Sequence, residues 1–274
     1  GLRRSASPSV LAIPALNRHS HAPAISAARG AMIDHSTAAF FLCTAFIAGL
    51  ARGFSGFGAA LIFMPLASAL VGPSMAAAVL STIDIILAAP FIPKAMKSAR
   101  FGPIAVMLLG AAITVPIGAA VLKFTDPLLM RWLIATVALC MLILLASGWR
   151  YAKTPGAVIS FVVGATSGLF SGIAQIGGPP VVAFWLGGKG DPTEARAKII
   201  LFFAGSGLIS LLTYILNGVI DQQSLLWSAI VGPGYGLGLF FGARLFGKAS
   251  PETFRRTCLG LIALSVIISL PIWK

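Results

Sequence analysis

Charge is what this sequence has least of. Only 10% of its 274 residues are Asp, Glu, Lys or Arg, where a soluble domain carries about a quarter. That shortage comes with 58% hydrophobic residues and a mean hydropathy of +0.95. It excludes an intrinsically disordered chain and most soluble folds. Acids are the scarcest, seven in all, and no catalytic carboxylate pair stands out among them. Histidine is rarer still, with three. His19, His21 and His35 all lie at or before the first apolar run. Apart from Asp34 they have no Cys or carboxylate close by, so they do not make a metal cluster, and no Ser–His pairing follows. Cys43, Cys140 and Cys258 each sit inside an apolar run, at no metal-ligand spacing. An odd number is no disulfide framework, and we read them as small interior residues. A membrane-embedded enzyme is therefore set aside, and neither a metal nor a cofactor is expected.

Long apolar runs are what the sequence has in abundance. They cover about 36–51, 57–71, 74–93, 102–122 and 127–148, then 156–171, 179–188, 195–217, 224–243 and 256–272. A helical span takes about 20 such residues, so the chain has room for about eight to ten. The runs are apolar all round, which marks buried or lipid-facing helices. The fold class is all-α, a polytopic helical membrane protein. The formal net charge of +13 comes from 20 basic and 7 acidic residues. The basic residues fall in the short gaps between runs, as the positive-inside rule expects. Aromatics lie inside the runs rather than among the charges. The expected partner is therefore a lipid bilayer and no nucleic acid.

Residues 1–31 differ from the rest. They hold Arg3, Arg4, Arg18 and Arg29 and no acid, a targeting-like composition that lacks a signal-peptide core. We read them as a tail foreign to the fold, of targeting or upstream origin, with Met32 preferred as the natural start.

The remainder divides into two similar halves, 32–150 and 151–274. Phe54-Ser55-Gly56 recurs as Phe170-Ser171-Gly172. Pro73, Ala76 and Ala78 recur as Pro192, Ala195 and Ala197. Gly118-Ala119, Pro127 and Arg131 recur as Gly242-Ala243, Pro251 and Arg255. Repeats of this size are a transporter signature. Each half opens with a helix, a Gly-rich break and a short run; the run 179–188 rises only about 15 Å as a helix. Lys94, Lys97 and Arg100 mark one gap as cytoplasmic, as do Arg150 with Lys153, Lys189 with Arg196 and Lys198, and Arg244 with Lys248. The gap 217–223 has no basic residue and belongs outside. Its first-half counterpart is the basic gap 94–100, so the repeats are inverted. Ten crossings, or eight plus two re-entrant Gly-rich hairpins, satisfy the same loop sides. Lys123, placed outside, fits least well.

At these residues the sequence resembles the sulfite exporter TauE/SafE family of bacterial membrane proteins. The carriers are Gly53-Phe54-Ser55-Gly56-Phe57-Gly58-Ala59-Ala60 with Pro65, then Gly168-Leu169-Phe170-Ser171-Gly172 and Gly177-Gly178-Pro179-Pro180. The resemblance covers about residues 36–273. It implies a secondary transporter in the inner membrane that moves a small sulfur-containing anion: sulfite, an organosulfonate such as sulfoacetate, or thiosulfate. Export is the implied direction. A homodimer is the assembly we carry forward. An anion channel and a non-transporting scaffold subunit are the rival readings.

An oxyanion taken from water needs replacement donors. A half-helix N-terminus supplies unpaired amides and the positive end of a dipole, and two such ends near mid-membrane hold an anion from both sides. The candidate binding set is Ser55, Gly56 and Gly58 from the first hairpin, and Ser171, Gly172, Gln175, Gly177, Gly178 and Pro179 from the second. Gly58 and Gly178 admit close backbone approach, and Pro179 fits a first helical turn. The competing reading is tight helix packing by these glycines. Arg52 offers a guanidinium fork to paired oxygens. It is either a cytoplasmic loop charge or a charge held inside the membrane, where it is functional by default. Asp84 lies mid-run. It is the candidate carrier of a coupling proton, or else pairs with Arg52 or Lys198. The repeat sets Phe203 opposite it. Ser81, Thr82, Ser206 and Ser210 read first as side chains bonded to their own or a neighbouring helix. The tryptophans, Trp185 and Trp227 among them, read as interfacial anchors.

Overall fold

The computed structural model describes residues 35–99, 101–149, 151, 156–185, 192–245 and 251–272, which apart from His35 belong to the unit Ser36–Lys274. The tail 1–31 lies outside them, as do Arg100, Arg150, Lys153, Lys189 and Lys248 and the side chains of Cys258 and Arg255. Among the described residues there is no strand. The first half supplies α1 (His35–Ser55), α2 (Ala59–Val71), α3 (Pro73–Ala88), α4 (Ile92–Met96), α5 (Phe101–Phe124) and α6 (Pro127–Ala146). The second supplies α7 (Ala157–Ala174), α8 (Gly178–Trp185), α9 (Pro192–Leu216), α10 (Gln222–Leu245) and α11 (Pro251–Ser269).

Among the described residues, seven stretches are long and apolar enough to cross a membrane: Thr37–Ser55, Pro73–Met96, Phe101–Phe124, Pro127–Ala146, Ala157–Ala174, Thr193–Leu216 and Gln222–Leu245. The chain is a polytopic helical membrane protein. The third run is less regular than its pattern suggests. It passes from α3 through a 3-10 turn, Ala89–Phe91, into α4, because Pro90 and Pro93 each remove a helical donor. The short runs stay short: α2 has 13 residues, about 20 Å, where a bilayer core is about 30 Å thick.

Large apolar side chains point outward. Ile86, Leu109, Ile113, Ile143 and Val158 are all exposed, as lipid contact requires. Cys43 and Cys140 are exposed too, which corrects the expectation that they are interior residues. The closest helix contacts are made at glycines, which let backbones touch. The first helix of each half lies against the third membrane-length stretch of the other. Against α10, a Cβ on Gly49 would lie 2.2 Å from the Tyr235 carbonyl oxygen, and one on Gly53 2.1 Å from that of Leu239. Against α5, a Cβ on Gly172 would lie 2.2 Å from the Val115 oxygen. Trp227 packs edge-on against Phe41, and Trp185 lies buried with its ring under Lys198. Trp185 fills the interior rather than anchoring an interface, whereas Trp227 is half-buried.

Most described acids have local employment. Asp126 caps α6, accepting from the Leu128 and Leu129 amides at 2.9 and 3.2 Å. Asp221 caps α10 through the Ser224 amide at 2.7 Å. Glu194 pairs with Lys198 at 2.8 Å, one turn on. Lys123 donates to the Asn217 carbonyl oxygen at 2.7 Å. The gaps 123–126 and 217–223 therefore share one end of the molecule, and the misfit charge closes a helix C-terminus. Asp84 has no such role. It sits near the centre of the 24-residue span Pro73–Met96.

Candidate functional site

Two helix breaks build the site. α1 ends at Ser55 and α7 at Ala174, and the next residues, Gly56 and Gln175, both turn left-handed, with φ of 80° and 59°. These ends stand 119 positions apart, the same spacing as Pro73 and Pro192, which open α3 and α9. The breaks therefore correspond as Gly56 with Gln175, not Gly56 with Gly172. At this spacing Arg52 corresponds to Ser171, and Asp84 to Phe203.

All four of those residues line one cavity of about 40 Å³, together with Phe57, Gly58, Ala59, Ala60, Leu61, Leu80, Gln175, Ile176, Gly178, Ser206 and Gly207. Its depth follows from the spans. Asp84 and Phe203 both lie near the midpoints of 24-residue stretches, and Arg52 reaches the same level. Arg52 donates from Nε and Nη2 to the two carboxylate oxygens of Asp84, each at 2.9 Å, and from Nη1 to the Gly56 carbonyl. The Phe203 ring stands 5.3 Å from its guanidinium carbon. Tyr235, fully buried near the midpoint of α10, donates its hydroxyl to Asp84 Oδ1. Arg52 is thus held within the membrane-spanning part and is no loop charge. Of the two partners considered for Asp84, it takes Arg52; Lys198 pairs with Glu194.

The remaining candidates divide. Gly58, with φ 93°, is the N-cap of α2. It leads into Ala59, Ala60 and Leu61, whose first-turn amides are free of intrahelical partners. α8 offers less: Pro179 and Pro180 have no N–H, and of its first three residues only Gly178 borders the cavity. Ser171 and Gln175 border it as well. Gln175 donates from Nε2 to the Ser171 carbonyl at 3.1 Å and to the Tyr214 hydroxyl at 3.4 Å. The second bond is long, so the amide is easily re-aimed. Ser55, Gly56, Gly172, Gly177 and Pro179 do not border this cavity. The Ser55 hydroxyl lies 2.7 Å from the Ala51 oxygen and 2.6 Å from that of Phe57, so it ties the turn together. A Cβ on Gly177 would lie 2.2 Å from Ser171 Oγ, and its carbonyl accepts from Ser167 at 2.7 Å. Gly172 sits in the α5–α7 contact, and its carbonyl accepts from Tyr214 at 2.8 Å. Of the four hydroxyl side chains set aside, Ser206 borders the cavity, and Thr82 donates to the Ala78 oxygen at 2.9 Å.

Sequence reading missed Tyr214, Tyr235 and the place of Arg196, which donates to the Gly53 oxygen at 2.7 Å. The available signal was a tyrosine flanked by glycines, Gly234-Tyr235-Gly236, mid-run.

Gln175 invites a direct test. A left-handed residue other than Gly costs about 1–2 kcal/mol, so glycine is the natural occupant and the amide is what glutamine adds. Gln175→Gly is expected to melt within about 1 kcal/mol of the parent and to raise the KM for anion uptake about tenfold. Paired thermal melts and uptake kinetics check this. An unchanged KM removes Gln175 from the ligand set.

Comparison with known proteins shows the family. The family model described as sulfite exporter TauE/SafE matches residues 41–269. A curated protein of Cupriavidus necator, named "Probable sulfite/organosulfonate exporter TauE", is 27% identical over 230 residues, 79% of this chain and 88% of the relative. No solved structure matches the chain.

Proposed function

Because this chain belongs to the sulfite exporter TauE/SafE family, we propose that it exports a small sulfur oxyanion across the bacterial inner membrane by alternating access. It is a multi-pass membrane transporter and not an enzyme. The observation that carries the finer reading is the Arg52 fork, which opens on a cavity level with the centres of two membrane-length helices. Charges held at that depth are rare, and a pair of them marks a ligand or ion pathway by default. The room suits a head group: about 40 Å³ holds about three waters, at about 10–15 Å³ each. Phe57, Leu61, Leu80 and Phe203 give the lining apolar surface as well, which favours a compact sulfite or a sulfonate with a short carbon stem.

The two repeats are inverted in this reading. Support comes from the reciprocal packing of α1 on α10 and α7 on α5. α9 also meets the two breaks near its opposite ends, Arg196 at Gly53 and Tyr214 at Gly172. Rocking one bundle on the other would then expose the cavity to each side in turn.

Asp84 sets the coupling. Its carboxylate occupies the two donors that a sulfonate would take. Substrate and carboxylate therefore compete, and a protonated Asp84 yields Arg52 to the anion. The test is uptake into liposomes, with solid-supported-membrane currents alongside. The panel is sulfite, sulfoacetate, thiosulfate, sulfate and chloride, with and without a pH gradient. A saturable, gradient-dependent response to a sulfur anion and none to chloride is expected. Silence across the panel in folded, inserted protein defeats the reading; fast unsaturable flux converts it to a channel. Asp84→Asn, which keeps the shape, should still bind the anion but lose the response to the pH gradient. If the gradient still drives the variant, Asp84 carries no coupling proton.

A further inference from the structure

Several hydroxyl side chains in these helices bond the carbonyl one turn back. Thr82 donates to the Ala78 oxygen at 2.9 Å, Thr213 to that of Ile209 at 2.7 Å and Ser228 to that of Ser224 at 2.7 Å. Ser206 does not. It is 1% exposed and borders the cavity, and its hydroxyl has no hydrogen-bond partner among the described residues. Its direction follows from the helix. Phe203, Ser206 and Gly207 stand at i, i+3 and i+4 of α9 and share one face. All three line the cavity, and the Phe203 ring on that face stands 5.3 Å from the Arg52 guanidinium carbon. Ser206 therefore faces the space onto which the Arg52 fork opens.

We infer that Ser206 is the residue that reads the third oxygen of a sulfite or sulfonate, and so separates these anions from those with only two oxygens. This rests on the transport reading above and adds a specificity-determining residue to its site.

The guanidinium fork is planar and takes two oxygens. A carboxylate or a sulfinate offers as much, so the fork alone does not tell them from a sulfonate. Asp84 illustrates this: its two oxygens fill the fork at 2.9 Å each, and Ser206 stays unpaired. The third oxygen of a pyramidal anion stands out of the fork plane and needs a donor from another direction. Ser206 supplies one, and the anion gives the buried hydroxyl its missing acceptor. An anion without that oxygen leaves the hydroxyl unpaired in a desolvated site, which is how a site built to bond a group rejects the analogue that lacks it. Each oxygen accepts more than one bond, so Gln175 and the first-turn amides of α2 add to this arrangement and do not replace it. Ser210, one turn further along α9, is a natural control. It is fully buried and its hydroxyl is also unpaired, but it does not border the cavity.

The experiment uses the full chain in liposomes and measures competition with 35S-sulfite uptake by methanesulfonate and methanesulfinate. These anions share a methyl stem and a single negative charge and differ by one oxygen. The parent is expected to hold methanesulfonate about tenfold more tightly. Ser206→Ala is expected to erase that preference, weakening methanesulfonate about tenfold and leaving methanesulfinate unchanged. Ser210→Ala should keep the parent's ratio. A residue that only packs α9 would weaken both anions alike, so an unchanged ratio in Ser206→Ala overturns the inference. So does a parent that holds the two anions equally or holds neither, while its uptake of 35S-sulfite leaves the transport reading standing. Should the alanine variant fail to fold, Ser206→Cys has nearly the same shape and only a weak S–H donor. It is expected to lower the ratio by about threefold, and an unchanged ratio again overturns the inference. A parent chain that moves no 35S-sulfite overturns the transport reading, and this one with it.

Discussion

Arg52→Ala is expected to abolish saturable anion uptake, with a fall in affinity of at least about a hundredfold. Arg52 is the cation bordering the cavity, and two of its donors point at a carboxylate with the spacing of a sulfonate oxygen pair. The substitution also harms the fold, because it leaves Asp84 in the membrane interior with Tyr235 alone. Breaking a buried pair by removing one member costs about 3–5 kcal/mol. Loss of uptake in the single variant is therefore ambiguous. The double variant Arg52→Ala/Asp84→Ala removes the orphaned carboxylate with its partner. It should melt close to the parent and still fail to bind. If it regains saturable uptake, Arg52 is a structural residue and the anion is held elsewhere.

The same pair explains why the two halves diverge. At the spacing of 119, Arg52 and Asp84 of the first half face Ser171 and Phe203 of the second. Two complete ion pairs would put four charges in one cavity of about 40 Å³, a desolvation load that membrane interiors do not support. One half carries the charge. The other supplies a hydroxyl, an amide from Gln175 and an aromatic face, which lies over the guanidinium.

Much of this was legible in the sequence. The helices follow from apolar runs of span length, a strong signal because each backbone must satisfy its own hydrogen bonds in lipid. Arg52 and Asp84 were conspicuous as charges beside or within such runs. The tertiary pairings were not legible. Pro90 and Pro93 sat where a continuous span was expected, and their lost donors split it. The repeat was matched through the identical triplet Phe-Ser-Gly, whereas the left-handed turns correspond at Gly56 and Gln175. A glutamine in a glycine's conformation leaves no sequence trace. Tyr235 was hidden for another reason: a buried tyrosine reads as apolar until its hydroxyl partner is known. Gly172 was misplaced because its spacing had a second meaning. Gly164, Gly168 and Gly172 recur every fourth residue, the pattern that brings membrane helices into backbone contact.

That second meaning gives the largest expected effect on folding. Gly118→Ala adds one methyl, yet its Cβ would lie 2.3 Å from the Leu169 carbonyl oxygen and 2.8 Å from the Ile173 amide nitrogen. Both obstacles are backbone and cannot swing aside, so α5 and α7 must separate along the seam. Overpacking costs about 1–3 kcal/mol, occasionally more, and here it also opens contacts on both sides of the methyl. The variant should lose its folded peak in detergent or melt well below the parent. Gly102→Ala is the matched control on the same helix. Nothing lies within 4 Å of its added Cβ, and alanine favours a helix over glycine by about 0.5–1 kcal/mol, so it should melt at or slightly above the parent. Thermal unfolding followed by size-exclusion chromatography separates the two. If Gly118→Ala behaves like Gly102→Ala, the seam has slack, and Gly172 on its far side regains its claim to the anion.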